Sequence, residues 1–172
     1  MNAVVTIIPL FLIRFGLLGL LNRDALRRAA HFAPMEGKEK VAYWVYQISN
    51  LAMLVLLCFL NIAEEPGFLI SGFAVFGLGA LLLAWSAVGF ARPKGNGMNV
   101  SGLYRVSRHP MYAAYLVYYL GCALLTRSLL LFALLAVFQF SAHWIILAEE
   151  RWCLKQFGDD YRRYMQRTRR YL

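Results

Sequence analysis

Residues Tyr112–Leu147 read YAAYLVYYLGCALLTRSLLLFALLAVFQFSAHWIIL, an apolar run broken at Thr126-Arg127-Ser128. As one helix it would be about 54 Å long, too long for a single crossing of a ~30 Å hydrocarbon layer. The break therefore predicts a hairpin of two membrane helices turning at Arg127. Upstream, Val4–Leu21, Val41–Ile62 and Phe68–Phe90 are three further apolar runs of spanning length. Between them lie a polar loop, Asn22–Lys40, and a tight acidic turn, Glu64-Glu65-Pro66-Gly67. A Gly-rich basic loop, Ala91–His109, precedes the hairpin. The expected fold is all-α: an integral membrane bundle of about five spans, ending in a C-terminal cytoplasmic amphipathic helix.

Composition agrees. Of 172 residues, 60% are hydrophobic and 16% charged, whereas a soluble domain carries ~25% charged residues. The net charge of +9 could suggest nucleic acid. However, the Lys and Arg residues cluster in loops and tails beside apolar runs, which is a topology signal, so no nucleic-acid partner is expected. Five fall in Asn22–Lys40, four in Ala91–Met111 and seven in Glu149–Leu172; Arg127 alone lies on the opposite side. The positive-inside rule puts the N-terminus outside and the C-terminus in the cytoplasm, with a bacterial inner membrane as the expected location. Residues 1–172 read as one domain, with three N-terminal spans in 1–90 and a cofactor-binding catalytic region in 91–172. The first run lacks a charged n-region and a small-residue cleavage site, so it reads as a retained span. Cys58, Cys122 and Cys153 read as apolar fillers, and no metal site is expected. Nothing in the sequence sets an oligomeric state.

Local features refine the spans. Gly72, Gly77 and Gly79 would let neighbouring helices approach closely. Tyr43, Trp44 and Tyr46 are placed like an interfacial aromatic belt. Arg14 lies near the middle of the first span, where a charge costs at least ~2.5 kcal/mol and a functional or paired role is the default. No acidic residue lies inside another span to pair with it.

Chemistry concentrates in two blocks. The first is Ser101–Tyr112, SGLYRVSRHPMY; the second holds Glu149, Glu150, Phe157, Gly158, Tyr161 and Tyr164. Pro110 suits the first position of a helix, which makes His109 the N-cap and leaves the N–H groups of Met111 and Tyr112 free. Together with Arg108 they would form an anion site. The helix from Pro110 to Leu125 covers roughly 24 Å, so its start lies below the lipid surface and needs protein, water or ligand to satisfy it. On that helix Tyr112, Tyr115 and Tyr119 share a face. On the next, Gln139, His143 and Glu150 share a stripe, with Glu149 nearly a quarter-turn away. Gly158-Asp159 reads as a helix stop followed by an N-cap. Tyr161, Tyr164, Thr168 and Tyr171 then recur at helical spacing among arginines, as in an interfacial helix that could lie over the site. Carboxylates, an anion site, and the aromatic faces of Tyr104, Tyr112 and Tyr115 suit a zwitterionic, adenine-bearing cofactor with a positive centre.

The motifs Gly102-x-Tyr104, Arg108-His109-Pro110-x-Tyr112, Glu149-Glu150 and Phe157-Gly158-x-x-Tyr161-x-x-Tyr164 resemble the signature of isoprenylcysteine carboxyl methyltransferases and related phospholipid methyltransferases. The resemblance covers about the last 70 residues; Cys153 stands where the family usually has Leu. It implies S-adenosylmethionine as cofactor, S-adenosylhomocysteine as product, and methyl transfer to a lipophilic acceptor among membrane lipids. That acceptor would be the carboxylate of a prenylated cysteine-like compound, or a lipid amine, phenol or thiol. Arg108, His109, Pro110, Met111 and the helix start would hold the amino-acid end. Glu149 or Glu150 would hold ribose hydroxyls, and Tyr104, Tyr112, Tyr115 and Tyr161 would line the pocket. Glu150, Arg108 and His143 are the catalytic candidates, Glu150 or His143 serving as base where the acceptor must lose a proton. Glu150 is expected to point into the bundle and Glu149 to lie nearer the surface. The competing readings are a membrane reductase, which would prefer a dinucleotide, and a non-enzymatic membrane assembly protein, which would lack a methyl-donor pocket.

Overall fold

The computed structural model describes residues 1–93 and 97–171. Lys94, Gly95 and Asn96 of the basic loop, and Leu172, lie outside the described residues. Among the described residues seven helices follow in order: α1 (Ala3–Leu21), α2 (Arg23–Ala30), α3 (Lys38–Phe59), α4 (Pro66–Ala91), α5 (Pro110–Thr126), α6 (Leu129–Phe157) and α7 (Asp159–Arg167). Of these, α1, α3, α4 and α6 are long and apolar enough to cross a membrane; α5, at 17 residues, is the short partner of the hairpin. The chain is an all-α membrane bundle.

Each helix end has a local cause. Asn2 accepts from the Val4 N–H at 2.7 Å and starts α1. The same residue donates to the Cys58 carbonyl, and Ala3 N–H to that of Leu60, which ties α1 to the end of α3. Pro66 and Pro110 open α4 and α5, where the absent N–H removes no helical bond. At the hairpin Arg127 takes the left-handed conformation, with φ 51°, and Ser128 caps α6 by accepting from Leu131 N–H. Arg127 pairs with Glu65 and lies over the Phe68 ring, so the turn docks on the start of α4.

Small residues govern the α4–α5 contact. A Cβ at Gly79 would strike the Tyr118 backbone, and one at Gly121 the Phe76 backbone; at Gly72 it would come within 2.8 Å of Leu125. Gly77, expected in the same role, faces open space. On the other side α3 packs against α6, with Tyr46 stacked on Phe138 at 4.3 Å between ring centres.

Five readings are corrected. The expected loop Asn22–Lys40 contains α2: Asn22 accepts from the N–H groups of Asp24 and Ala25, and basic residues close its last turn. Tyr46 is core rather than belt, although Trp44 is exposed. The last span stops at Gly158, with φ 54°, as expected, but Gly158 itself and not Asp159 is the N-cap of α7. The final helix stops at Arg167; Thr168 is extended, and Tyr171 lies beyond the helix. Cys58 is exposed, while Cys122 is buried as expected of a filler.

Candidate active site

The two motif blocks meet at the end of the bundle where α2, α7 and the chain before α5 gather. Arg108 is the joint between them. Its Nε and Nη2 donate to Glu150 Oε1 at 2.9 and 2.6 Å, and its Nη1 donates to the carbonyls of Met165 and Thr168 at 3.1 and 2.6 Å. Its backbone N–H donates to the Arg169 carbonyl at 2.8 Å. From the tail, Arg170 donates to both oxygens of Glu150, the shortest bond being 2.7 Å. Tyr171 meets His143 Nδ1 at 2.5 Å. The tail therefore runs back along α6 and straps the Arg108 segment down.

The two neighbouring glutamates differ sharply. Glu150 is 3% exposed and sits inside this cluster. The side chain of Glu149 is 28% exposed; it accepts a 2.7 Å bond from Tyr112 OH. His109 lies between them, with Nδ1 3.4 Å from Glu149 Oε2 and Nε2 3.4 Å from Glu150 Oε1, within ion-pair reach but long for hydrogen bonds. Burial alone would lower the His109 pKa. Attraction of the charged ring to the two carboxylates outweighs burial, so the net shift is upward. Tyr104, Tyr161 and Tyr164 are held neutral chiefly by burial, and Tyr164 OH donates to the Tyr104 carbonyl at 2.5 Å.

Beside this cluster lies a cavity of about 630 Å³, within the usual range for small-molecule and cofactor pockets. Tyr104, Arg108, His109, Met111, Tyr112, Tyr115, Glu149 and Tyr161 line it. Glu150, Pro110 and His143 do not; Glu150 stands behind Arg108 and His109, and His143 faces the tail. The anion site expected at the helix start is altered. The Arg108 guanidinium is taken up by Glu150 and two carbonyls, and the Tyr112 N–H donates to the His109 carbonyl.

Sequence reasoning left about two-thirds of the wall unassigned. Arg14, Tyr46, Phe90, Asn99 and Phe157 line the cavity, as do Arg28, His31 and Phe32 from the end of α2 and just beyond it. For α2 a signal existed: Asn22 as N-cap, Asp24 in the first turn, and Arg27 and Arg28 in the last. For Arg14 the charge itself was the signal, but not its direction. Its Nη2 donates to the Ala29 carbonyl at 2.6 Å, a contact that exists only because α2 folds back under α1.

The profile of the phospholipid methyltransferase family matches residues 68–160, more than half of the chain. The matched segment contains Arg108–Tyr112 and Glu149-Glu150, the blocks that the fold brings together. No curated protein and no solved structure matches the chain. By the matched segment and the membrane bundle that carries it, the chain belongs to the phospholipid methyltransferase family and is an integral membrane protein.

Proposed function

We propose that this protein transfers a methyl group from S-adenosylmethionine to a lipophilic acceptor at the cytoplasmic face of its membrane. The carrying observation is the cavity between the two motif blocks, with one open carboxylate among aromatic walls.

The wall suits that cofactor. One buried polar atom of a lining residue, Asn99 Oδ1, has no hydrogen-bond partner among the described residues. Such an atom is costly unless a ligand or water completes it. Glu149 and Asn99 can accept from ribose hydroxyls or an ammonium group. Arg28 and His31 can meet a carboxylate, and Tyr104, Tyr112 and Phe157 offer faces to an adenine ring or a positive sulfur. When bound, S-adenosylmethionine supplies an electrophilic methyl group for in-line displacement. The chain's own part is alignment and exclusion of water, which α7 serves by covering the cavity with Tyr161 and Tyr164. Glu149 is the carboxylate on the wall, so an acceptor that must lose a proton would hand it there, whereas a carboxylate acceptor needs no base. The basic loops, α2 and the tail share one end of the bundle, in keeping with a cytoplasmic C-terminus and an external N-terminus.

Calorimetric titration of the detergent-purified protein with S-adenosylhomocysteine tests this reading. Binding is expected, and Glu149→Gln should weaken it by roughly 1.5–3 kcal/mol, the range for a bond to a charged group. A folded protein that ignores S-adenosylhomocysteine, or prefers a nicotinamide dinucleotide, would overturn it.

A further inference from the structure

Arg14 is not explained by holding the cofactor. It lies seven residues before the end of α1, roughly 10 Å along the helix from that end. It still lines the cavity, alongside Met111, Tyr46 and Tyr115. A π-helical segment, Leu12–Leu17, contains it, and such segments recur at functional positions. A guanidinium has five N–H donors. One of them meets the Ala29 carbonyl at 2.6 Å, and Nη1 lies 3.9 Å from the Met111 sulfur. These partners are neutral, as is the Tyr115 side chain that Arg14 also meets. Among the described residues no carboxylate lies within ion-pair distance of Arg14.

Of the other arginines of the wall, Arg108 is neutralised by Glu150 and Arg27 has Asp24 at 3.7 Å, whereas Arg28, at the end of α2, has only neutral partners, the ring and carbonyl of Phe90. Glu149, the carboxylate on the wall, is held by Tyr112 and His109 and is not within ion-pair distance of Arg14. A bound sulfonium cofactor would add further positive charge before transfer, because its sulfonium and ammonium outnumber its one carboxylate. A cavity with that surplus of positive charge favours an anion.

We propose that Arg14 forms an anion subsite in the bilayer-side half of the cavity, holding a carboxylate or phosphate of the methyl acceptor and so selecting anionic amphiphiles. The word acceptor rests on the methyl-transfer reading; the anion subsite does not. Carboxylate and phosphate share the chemistry Arg recognises, two oxygens met by a planar fork of donors.

The test uses the full chain in a neutral detergent saturated with S-adenosylhomocysteine, titrated with dodecanoate, dodecyl phosphate, dodecanol and dodecylamine. At least one of the two anions should bind tenfold or more tighter than dodecanol, and dodecylamine more weakly; which anion binds tighter distinguishes a carboxylate from a phosphate source. Arg14→Gln should abolish the preference, while S-adenosylhomocysteine affinity stays within twofold. Arg14→Lys, which retains the charge, should keep a preference. Because Arg14→Gln loses its bond to α2 and could fail to fold, the wild type is also labelled with ¹³C-methyl methionine. There the Met111 signal, assigned with Met111→Leu, should move with the anions and stay still with dodecanol. No anion preference in the wild type, an unmoved Met111 signal, or a preference that survives Arg14→Gln would overturn the proposal. So would a parallel loss of S-adenosylhomocysteine binding in Arg14→Gln, which would assign Arg14 to the cofactor. If the wild type binds no S-adenosylhomocysteine, the cofactor reading falls, and the same titrations without it decide the anion subsite by the same criteria.

Discussion

Replacing Glu150 with Gln removes one negative charge from the point where three segments meet. Arg108, whose side chain is 8% exposed, would keep its bonds to the Met165 and Thr168 carbonyls but lose its counter-charge. Removing one partner of a buried ion pair costs about 3–5 kcal/mol. The amide oxygen of Gln can still accept from Arg108, and the Arg170 side chain is 34% exposed, so its share is discounted for solvent screening. The expected loss is therefore near the lower end, about 3 kcal/mol, or more than a hundredfold in the folding equilibrium. Unfolding in mixed micelles with increasing sodium dodecyl sulfate, followed by tryptophan fluorescence, would read it. The tail should loosen as well, so trypsin should cut after Arg167 faster than in the wild type. A double-mutant cycle with Arg170→Gln should give a coupling of roughly 1 kcal/mol. A folded Glu150→Gln protein within about 0.5 kcal/mol of wild type, with unchanged tail cleavage, would refute the view that this cluster holds the two blocks together.

Gly79→Ala forces a methyl group into the Tyr118 backbone and should cost roughly 1–3 kcal/mol in the same unfolding assay; Gly77→Ala, facing open space, should be neutral or gain up to ~1 kcal/mol. The folded pKa of His109 is raised above its ordinary 6.5. Its stabilisation is therefore complete below that value and is lost as pH rises through the raised folded value, so wild-type stability should fall over that window relative to His109→Gln. A pH profile that is the same in both proteins would remove His109 from the carboxylate pair. The Glu39–Arg151 pair joins the start of α3 to α6 at 2.6 Å, but the Arg151 side chain is 37% exposed; Glu39→Gln should cost under about 1 kcal/mol, and a larger loss would mean that the pair is better shielded than its exposure suggests.

The membrane helices, the hairpin at Arg127 and the pairing of Arg108–Tyr112 with Glu149-Glu150 could all be read along the chain. Hydropathy and helix signals depend on near neighbours: an apolar run long enough to span must do so as a helix, since no water inside the bilayer satisfies its backbone. Helical phase likewise separated a buried Glu150 from a more open Glu149, because residues one apart on a helix point about 100° away from each other. What Arg108 binds could not be read that way. A guanidinium serves a ligand anion or an internal carboxylate equally well, and the choice fell to Glu150 once the tail brought the Met165 and Thr168 carbonyls into reach. Tyr46 looked interfacial by position, yet α6 set Phe138 against its ring. Arg14 announced a cost without a direction; only the fold of α2 beneath α1 turned it toward the cavity. Each of these outcomes depends on which distant segment arrives beside a side chain, a packing result decided by the whole bundle rather than by local periodicity.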